Sequence, residues 1–193
     1  IRDVLAASEA HGHPDRPLVF GSTSKITFAG AGVGFFGASQ SNVDWLISKS
    51  SKRSIGPDKL NQLRHALFLQ DSEGVRAHML KQRALLQPKF ELVQQILERE
   101  LGGTGLARWT SPKGGYFITL QLVHGGASEV VRLAGEAGTA LTPAGATHPY
   151  GVDPDDATIR IAPSYPSIED LEHAVVSLAV CVRLVGYEQL LAQ

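Results

Sequence analysis

This chain of 193 residues has very little cysteine and almost no net charge. The single cysteine, Cys181, excludes a disulfide framework and is typical of a reducing compartment, which predicts a cytoplasmic location. The 18 lysine and arginine residues are balanced by 19 acidic residues, whereas a general nucleic-acid binder normally carries a basic surplus. The longest nearly unbroken apolar run, near residues 174–182, is shorter than the roughly 20 residues that span a bilayer. His11 and His13 have no third ligand at metal-site spacing, so no metal site is predicted.

The hydrophobic patterns of the first half predict an α/β protein. Residues 18–20 (LVF) form a continuous apolar run, as in a strand that is covered on both faces, and such strands belong to parallel or mixed sheets flanked by helices. A helical pattern extends over residues 73–101, and Pro88 is expected to kink that helix. We therefore predict an α/β portion over residues 1–72, followed by a connecting helix and a smaller domain over residues 73–193.

The pattern after the long helix is that of a small α+β domain. Residues 116–122 alternate between apolar and polar as in a half-buried strand, and two short strands are expected near residues 140–141 and 158–162. Ser128 is predicted to cap one helix and Ser167 to cap the last one, whose apolar stripe should be buried.

A lysine in a serine-rich turn is the first candidate for chemistry. Residues 22–25 (STSK) directly follow the apolar run, and the carboxyl end of a strand is where α/β folds bind ligands. An amine placed there is partly desolvated and can act as a nucleophile toward an aldehyde. Neighbouring hydroxyls suit a phosphate. This combination fits a Schiff base between Lys25 and pyridoxal phosphate (PLP), although the four residues alone also fit an ordinary surface turn.

Two other motifs overlap the same loop. Residues 32–37 (GVGFFG) match the G-x-G-x-x-G pattern of dinucleotide-binding folds, but the Lys25 turn separates them from the preceding strand. Ser22 and Lys25 also form S-x-x-K, the nucleophile motif of β-lactamases. The K-T-G element of those enzymes has no counterpart at Lys113, which is followed by two glycines. The loop by itself therefore leaves an aldehyde-binding, a nucleotide-binding and a serine-nucleophile interpretation open.

Four segments, taken in order, resemble the carboxyl-terminal half of fold-type I PLP-dependent aminotransferases: residues 22–25 (STSK), 112–118 (PKGGYFI), 142–145 (TPAG) and 159–162 (IRIA). The longer strings STSKITFAGAGV and TPAGATHPYG look like the MocR-like subgroup, in which bacterial aspartate aminotransferases are found. The resemblance covers essentially the whole chain. It implies the later part of the large PLP-binding domain, with a mixed, mostly parallel sheet, followed by the small domain.

The resemblance assigns roles to three residues. Lys25 matches the lysine that forms the Schiff base and moves the proton at the substrate α-carbon. Ser22 matches the hydroxyl that contacts the cofactor phosphate, and Arg160 matches the arginine that binds the substrate α-carboxylate. The local pattern agrees for Arg160, because in a strand Ile159 and Ile161 would face the core while Arg160 faces the other way.

The chain also departs from the family pattern. Most members carry an arginine eight residues after the lysine as a second phosphate ligand, but this chain has Val33 there and no basic residue between positions 26 and 39. The acid and the aromatic residue that contact the pyridine ring lie upstream of the lysine in the family, and the residues before Lys25 offer no convincing match. We therefore expect the amino-terminal half of the protein to lie outside this sequence.

The resemblance implies an aminotransferase that acts on aspartate or another dicarboxylic amino acid and a 2-oxo acid, and that forms a homodimer. His148 lies in a loop expected near the mouth of the active site, and Lys52 and Arg53 in a segment that can reach the partner's site in relatives. The alternative is the PLP-sensing domain of a MocR-type transcriptional regulator, which would add a DNA-binding module.

Overall fold

The computed structural model describes residues 3–28 and 30–192. The chain separates into two compact units, Ile1–Gln82 and Arg83–Gln193, which we call unit 1 and unit 2. The domain boundary expected after residue 72 stays a prediction, because a division by compactness does not test where independently folding domains meet.

Unit 1 combines helices with one two-stranded sheet. Its third helix begins after Asp58, because the Asp58 carboxylate accepts a hydrogen bond from the amide of Asn61 at 2.9 Å. The second helix begins in the same way after Ser39. The described elements of this unit are α1 (Val4–Ala10), β1 (Val19–Ser22), β2 (Gly34–Gly37), α2 (Gln40–Ser50), α3 (Lys59–Leu69) and the beginning of α4 (Ser72–Leu101).

Strand β1 is exposed along its whole length, so the expectation of a strand covered on both faces is wrong. Its residue Phe20 is 73% exposed. The strand pairs antiparallel with β2, where Phe20 lies opposite Phe36 with the two rings 5.1 Å apart. Within the described residues of unit 1 the expected parallel strand pairs are therefore not seen. A three-residue apolar run indicates a strand but carries no information about which of its faces another layer covers.

Unit 2 is built on an antiparallel sheet with strand order β3-β4-β5. In β4 the side chains of Ile118, Leu120 and Leu122 are buried and those between them are exposed, which confirms the alternation predicted for this strand. Helix α4 continues across Pro88 and ends in this unit. The remaining described elements are β3 (Ala107–Trp109), β4 (Ile118–Leu122), α5 (Ala127–Glu136), a 3-10 turn (Pro149–Gly151), β5 (Thr158–Ile161) and α6 (Ile168–Leu191).

Two local predictions in unit 2 are wrong. Residues 140–141 form no strand, and the third strand of the sheet is β3, which is too short to show a clear alternation. Ser128 does not cap α5, because its amide and hydroxyl both bond the carboxylate of Asp156, 28 residues away. Ser167 does cap α6 as predicted, since its Oγ accepts a hydrogen bond from the amide of Asp170 at 3.0 Å.

The hydrophobic core of the described chain lies in unit 2. It is formed by the end of α4, by β4 and β5, and by one face each of α5 and α6. The thiol of Cys181 lies beside this core, 8% exposed, and burial raises its pKa. The stripe predicted for α6 is buried as expected: Leu171, Val175, Leu178, Val182 and Val185.

Helix α6 is long and apolar enough to cross a membrane, with a mean hydropathy of 1.6 over its most apolar segment. The comparison made from residues 174–182 alone therefore underestimated the length of the apolar segment in this helix. Burial gives another explanation for its composition, because Leu178 and Val182 are each only 1% exposed inside unit 2. A helix that lines the core of a compact unit needs the same apolar residues as a membrane span.

Candidate active site

Lys25 lies in a tight turn that begins where β1 ends. The carbonyl of Thr23 accepts hydrogen bonds from the amides of Ile26 and Thr27, both at 2.9 Å, so the chain reverses around Lys25. The side chain of Lys25 is exposed, whereas the strand-end position predicted partial desolvation. The turn extends from strand β1, which is exposed along its length, and the Lys25 side chain is on the exposed part of the turn.

Two serine hydroxyls lie beside Lys25 in the same turn. The Oγ atoms of Ser22 and Ser24 are 2.7 Å apart, and the amide of Ser24 donates to Ser22 Oγ at 3.1 Å. Both serines are exposed. Ser22, Ser24 and Lys25 are thus exposed in the same turn, while the roles expected for Ser22 and Lys25 stay predictions.

Gly32 packs directly against this turn. A Cβ at position 32 would lie 2.2 Å from Ser24 Oγ and 2.9 Å from Ser24 Cα, which no side chain tolerates without a shift of the turn. The segment that follows forms β2 (Gly34–Gly37) and does not open a helix. Because a dinucleotide-binding loop must lead into a helix whose amino terminus meets the phosphates, the GVGFFG match is not such a loop.

Thr23, the residue between the two serines, was not predicted from the sequence to have a special role. Thr23 is 5% exposed, and its Oγ1 lies 3.0 Å from Nε2 of His65, a buried residue of α3. Thr23 also accepts a hydrogen bond from the amide of Val33 at 2.8 Å. That amide is therefore already bonded within the chain, at the position where many relatives carry a phosphate-binding arginine.

Arg160 lies in β5 of unit 2, opposite Thr119 of β4. Its neighbours Ile159 and Ile161 are buried, which agrees with the alternation read from the sequence. The guanidinium carbon lies 4.6 Å from the centre of the Phe117 ring, within the range of a cation–π contact. Phe117 and the two isoleucines thus fix the direction of a half-buried cationic side chain.

The guanidinium of Arg160 is only partly satisfied by the described residues. Nη2 donates to Thr142 Oγ1 over a long 3.5 Å contact, and Nε is buried without a hydrogen-bond partner. A buried donor without a partner is costly, and a carboxylate could accept from two adjacent nitrogens of the guanidinium at once. The geometry therefore suits the binding of a small carboxylate.

The loop before β5 is anchored by Asp153. Burial acts to raise the pKa of Asp153, but hydrogen bonds from the amides of Thr158 and Ala157, at 2.8 and 3.0 Å, outweigh it and hold the pKa below its usual range. Nε2 of His148 lies 3.7 Å from the same carboxyl group. The loop that carries His148 is thus tied to the strand that carries Arg160, while a substrate contact of His148 stays a prediction.

The family model described as "Aspartate amino-transferase" matches residues 1–193, the full length of the sequence. The chain belongs to the aspartate aminotransferase family. The aspartate aminotransferase of Corynebacterium glutamicum is 50% identical over 186 residues, which cover 96% of this chain and 43% of that protein. A Mycolicibacterium smegmatis protein, assigned as an aminotransferase by inference, is 53% identical over 189 residues, which cover 98% of this chain and 44% of that protein. The chain thus spans less than half the length of the curated relatives it matches.

Solved structures of aminotransferases share the fold. The crystal structure of an aspartate transaminase from C. glutamicum matches with a TM-score of 0.92 and 50% identity, over 97% of this chain and 44% of that chain. The α-aminoadipate aminotransferase of Thermus thermophilus, solved with a phosphopyridoxyl-leucine compound, matches with a TM-score of 0.76 at 23% identity, over 96% of this chain and 46% of that chain. The α/β fold class predicted from the sequence is confirmed, and PLP is the cofactor that the family implies.

Proposed function

We propose that this member of the family is a PLP-dependent aminotransferase of the MocR-like subgroup. It would move an amino group between aspartate, or another dicarboxylic amino acid, and a 2-oxo acid. The observation that carries the proposal is the Lys25 turn, in which one amine and two serine hydroxyls are presented together at the end of β1. The aminotransferase names of the relatives favour this enzyme over the regulator.

The donor set of the turn fits the proposed cofactor. An exposed lysine amine can attach covalently to an aldehyde, and the hydroxyls of Ser22 and Ser24 can donate to phosphate oxygens. Gly32 packs against Ser24 without a Cβ, which leaves room for the Ser24 side chain in the turn. A cationic phosphate ligand is not available between residues 26 and 39. Hydroxyl and backbone donors would therefore carry more of the phosphate binding than in relatives with an arginine at position 33.

Each proposed residue has a defined task. When bound, PLP supplies an electron sink for the negative charge that develops at the substrate α-carbon. Nζ of Lys25 would hold the cofactor through its aldehyde and, once released from it, would act as the base that removes and returns the α-proton. Oγ of Ser22 would donate to the phosphate. The guanidinium of Arg160, held in contact with the Phe117 ring, would bind the α-carboxylate.

The proposal extends to location and assembly. We propose a cytoplasmic homodimer whose polypeptide includes a further amino-terminal portion of the large domain. Two observations support the further amino-terminal portion and the assembly. The chain spans less than half the length of its relatives, and unit 1 exposes large apolar side chains such as Phe20 and Leu60, at 73% and 70%. Exposed apolar surface of this kind is typically covered by another segment or subunit.

The test is borohydride reduction of the full-length protein followed by peptide mapping. We expect a visible PLP absorption band that disappears on reduction, with the pyridoxyl label on Lys25. Lys25→Ala should abolish the label and the transamination of aspartate, whereas Lys49→Ala, which removes an exposed lysine of α2, should change neither. A label on another lysine, or turnover that survives Lys25→Ala, would remove Lys25 from the mechanism.

Substrate preference needs a separate measurement. The conversion of bound PLP to its amine form can be followed by absorbance after adding aspartate, glutamate or alanine to the full-length protein. Faster conversion with aspartate and glutamate would support a dicarboxylic substrate. Equal rates with alanine would contradict the dicarboxylic preference and leave the aminotransferase activity itself in place.

A further inference from the structure

Unit 1 contains two buried residues among those described, and both are polar. Thr23 is 5% exposed and His65 is 9% exposed, while the other described residues of this unit are half-buried or exposed. The two side chains are joined by a 3.0 Å contact between Thr23 Oγ1 and His65 Nε2. The best-protected point of this unit is therefore a hydrogen-bonded pair next to Lys25 and not an apolar cluster.

The contacts of His65 define its tautomer. Its Nδ1 lies 2.9 Å from the carbonyl oxygen of Asn61, and a carbonyl can only accept, so Nδ1 carries the proton. In the neutral ring Nε2 is then an acceptor, and the hydroxyl of Thr23 donates to it. Thr27 Oγ1 lies 3.1 Å from the same nitrogen and 3.0 Å from the carbonyl of Thr23, to which it donates.

These contacts connect the Lys25 turn to α3. Thr23 precedes Lys25 by two residues and donates to His65 Nε2, and the hydroxyl of Thr27, two residues after Lys25, closes the turn by donating to the Thr23 carbonyl. Between them the carbonyl of Ile26 accepts a hydrogen bond from Nε2 of His78, on α4. His65 on α3 and His78 on α4 bond the backbone and hydroxyl groups of the turn. These bonds therefore influence the direction in which the Lys25 side chain extends from the turn.

We propose that His65 is a positioning residue for Lys25, because its buried Nε2 accepts a hydrogen bond from the hydroxyl of Thr23 and so holds the turn that carries the lysine. The proposal rests on the function proposed above for Lys25. His65 bonds only Asn61, Thr23 and Thr27 among the described contacts, so its effect on chemistry must pass through the geometry of the turn.

The experiment compares variants of the full-length protein. His65→Leu removes both ring nitrogens at similar size, Thr23→Val removes only the hydroxyl, and His65→Gln restores a polar group near the position of Nε2. His173→Leu, at an exposed histidine of α6, is the matched control. Amide hydrogen exchange of the peptide around residues 22–28 is measured without PLP, and PLP affinity is measured by absorbance titration.

We expect His65→Leu and Thr23→Val to speed exchange in this peptide and to weaken PLP affinity, each by about 10-fold, the effect of losing a buried hydrogen bond. His65→Gln should recover part of both losses. In steady-state assays kcat should fall more than the KM for the amino acid changes, because Arg160 is untouched. The His65→Leu, Thr23→Val double variant should lose little more than the worse single variant, since both remove the same bond.

The outcomes separate this inference from the proposed function. If His65→Leu does not fold, Thr23→Val still tests the bond. Wild-type exchange and PLP affinity in Thr23→Val would refute the positioning role. A label that maps away from Lys25 would instead refute the proposed function, while the exchange data obtained without PLP would still report whether His65 holds the turn.

Discussion

Replacement of Gly32 by alanine is the most direct test of how the Lys25 turn is packed. The new Cβ would lie 2.2 Å from Ser24 Oγ and 2.9 Å from both the Cα and the amide nitrogen of Ser24. The serine hydroxyl can rotate away, but the two backbone atoms can move only if the turn moves. Gly32 does not have a positive φ, so the cost arises from the clash and not from backbone strain.

The expected cost follows from two opposing effects. Overpacking against a fixed neighbour typically costs about 1–3 kcal/mol. Replacing glycine by alanine at an ordinary φ returns about 0.4–1 kcal/mol, because the unfolded chain becomes less flexible. We therefore expect Gly32→Ala to change the stability of unit 1 by between about 0 and 2.6 kcal/mol, in the destabilising direction. Gly34→Ala is the matched control two residues away, because its Cβ would meet only the Gly21 carbonyl oxygen, at an ordinary 3.9 Å.

Thermal unfolding and PLP titration of the full-length protein provide the assay. Gly34→Ala should melt at or slightly above the wild-type temperature and bind PLP normally. Gly32→Ala should melt lower and bind PLP more weakly, because Ser24 and Lys25 are displaced together. The packing argument is refuted if the two variants behave alike in both measurements. A fall in melting temperature with unchanged PLP affinity would show that the turn absorbs the clash without moving Lys25.

Three further predictions concern unit 2. Arg160→Lys should lower kcat/KM for the amino acid by about 10- to 100-fold, since it loses the paired geometry of the guanidinium, whereas Arg108→Lys, at an exposed arginine of β3, should leave it unchanged. Asp153 has a lowered pKa in the folded protein, so it stabilises the fold above its ordinary pKa of about 4, and this stability is lost as the pH falls through the folded pKa. Asp153→Asn should therefore melt lower than wild type at pH 7 but lose less in an acid titration, and parallel melting curves from pH 7 to pH 3 would contradict this. Leu178→Ala should cost about 2–5 kcal/mol because Leu178 is 1% exposed, while Val180→Ala, at a site 56% exposed, should cost little, and equal melting temperatures would contradict the burial argument.

The periodicity of hydrophobic residues predicted the structure well in elements that pack one face on the core of their own unit. The stripe of α6, including Val175 and Leu178, is buried as expected, and so is the alternating face of β4, including Leu120. In both elements one face packs on a core formed by the same unit, so the pattern of apolar residues records the packing directly. The same reasoning placed Ile159 and Ile161 inward and Arg160 outward, as the structure has them.

The hydrophobic pattern gave a wrong prediction where the burial of a strand depends on whether another part of the structure packs on it, because the residues of the strand do not determine this. The LVF run at residues 18–20 contributes to an exposed strand, because apolar residues favour a strand whether or not its faces are covered. The cap expected at Ser128 failed for a related reason. Asp156 lies 28 residues further along the chain, and its carboxylate accepts hydrogen bonds from both the amide and the hydroxyl of Ser128, so this hydroxyl donates to Asp156 and does not accept from the helix as a cap would.

The loop around Lys25 shows why short motifs left its chemistry open. STSK and GVGFFG are compatible with three different functions, because each string specifies residue types but does not determine which side chains point inward. In the fold Ser22 and Ser24 are exposed beside Lys25, and Thr23 between them points to a histidine 42 residues away. The first glycine of the other motif serves the same turn by leaving space for Ser24. Only the order and spacing of distant segments could identify the family, because the contacts that give these residues their tasks cross those long separations.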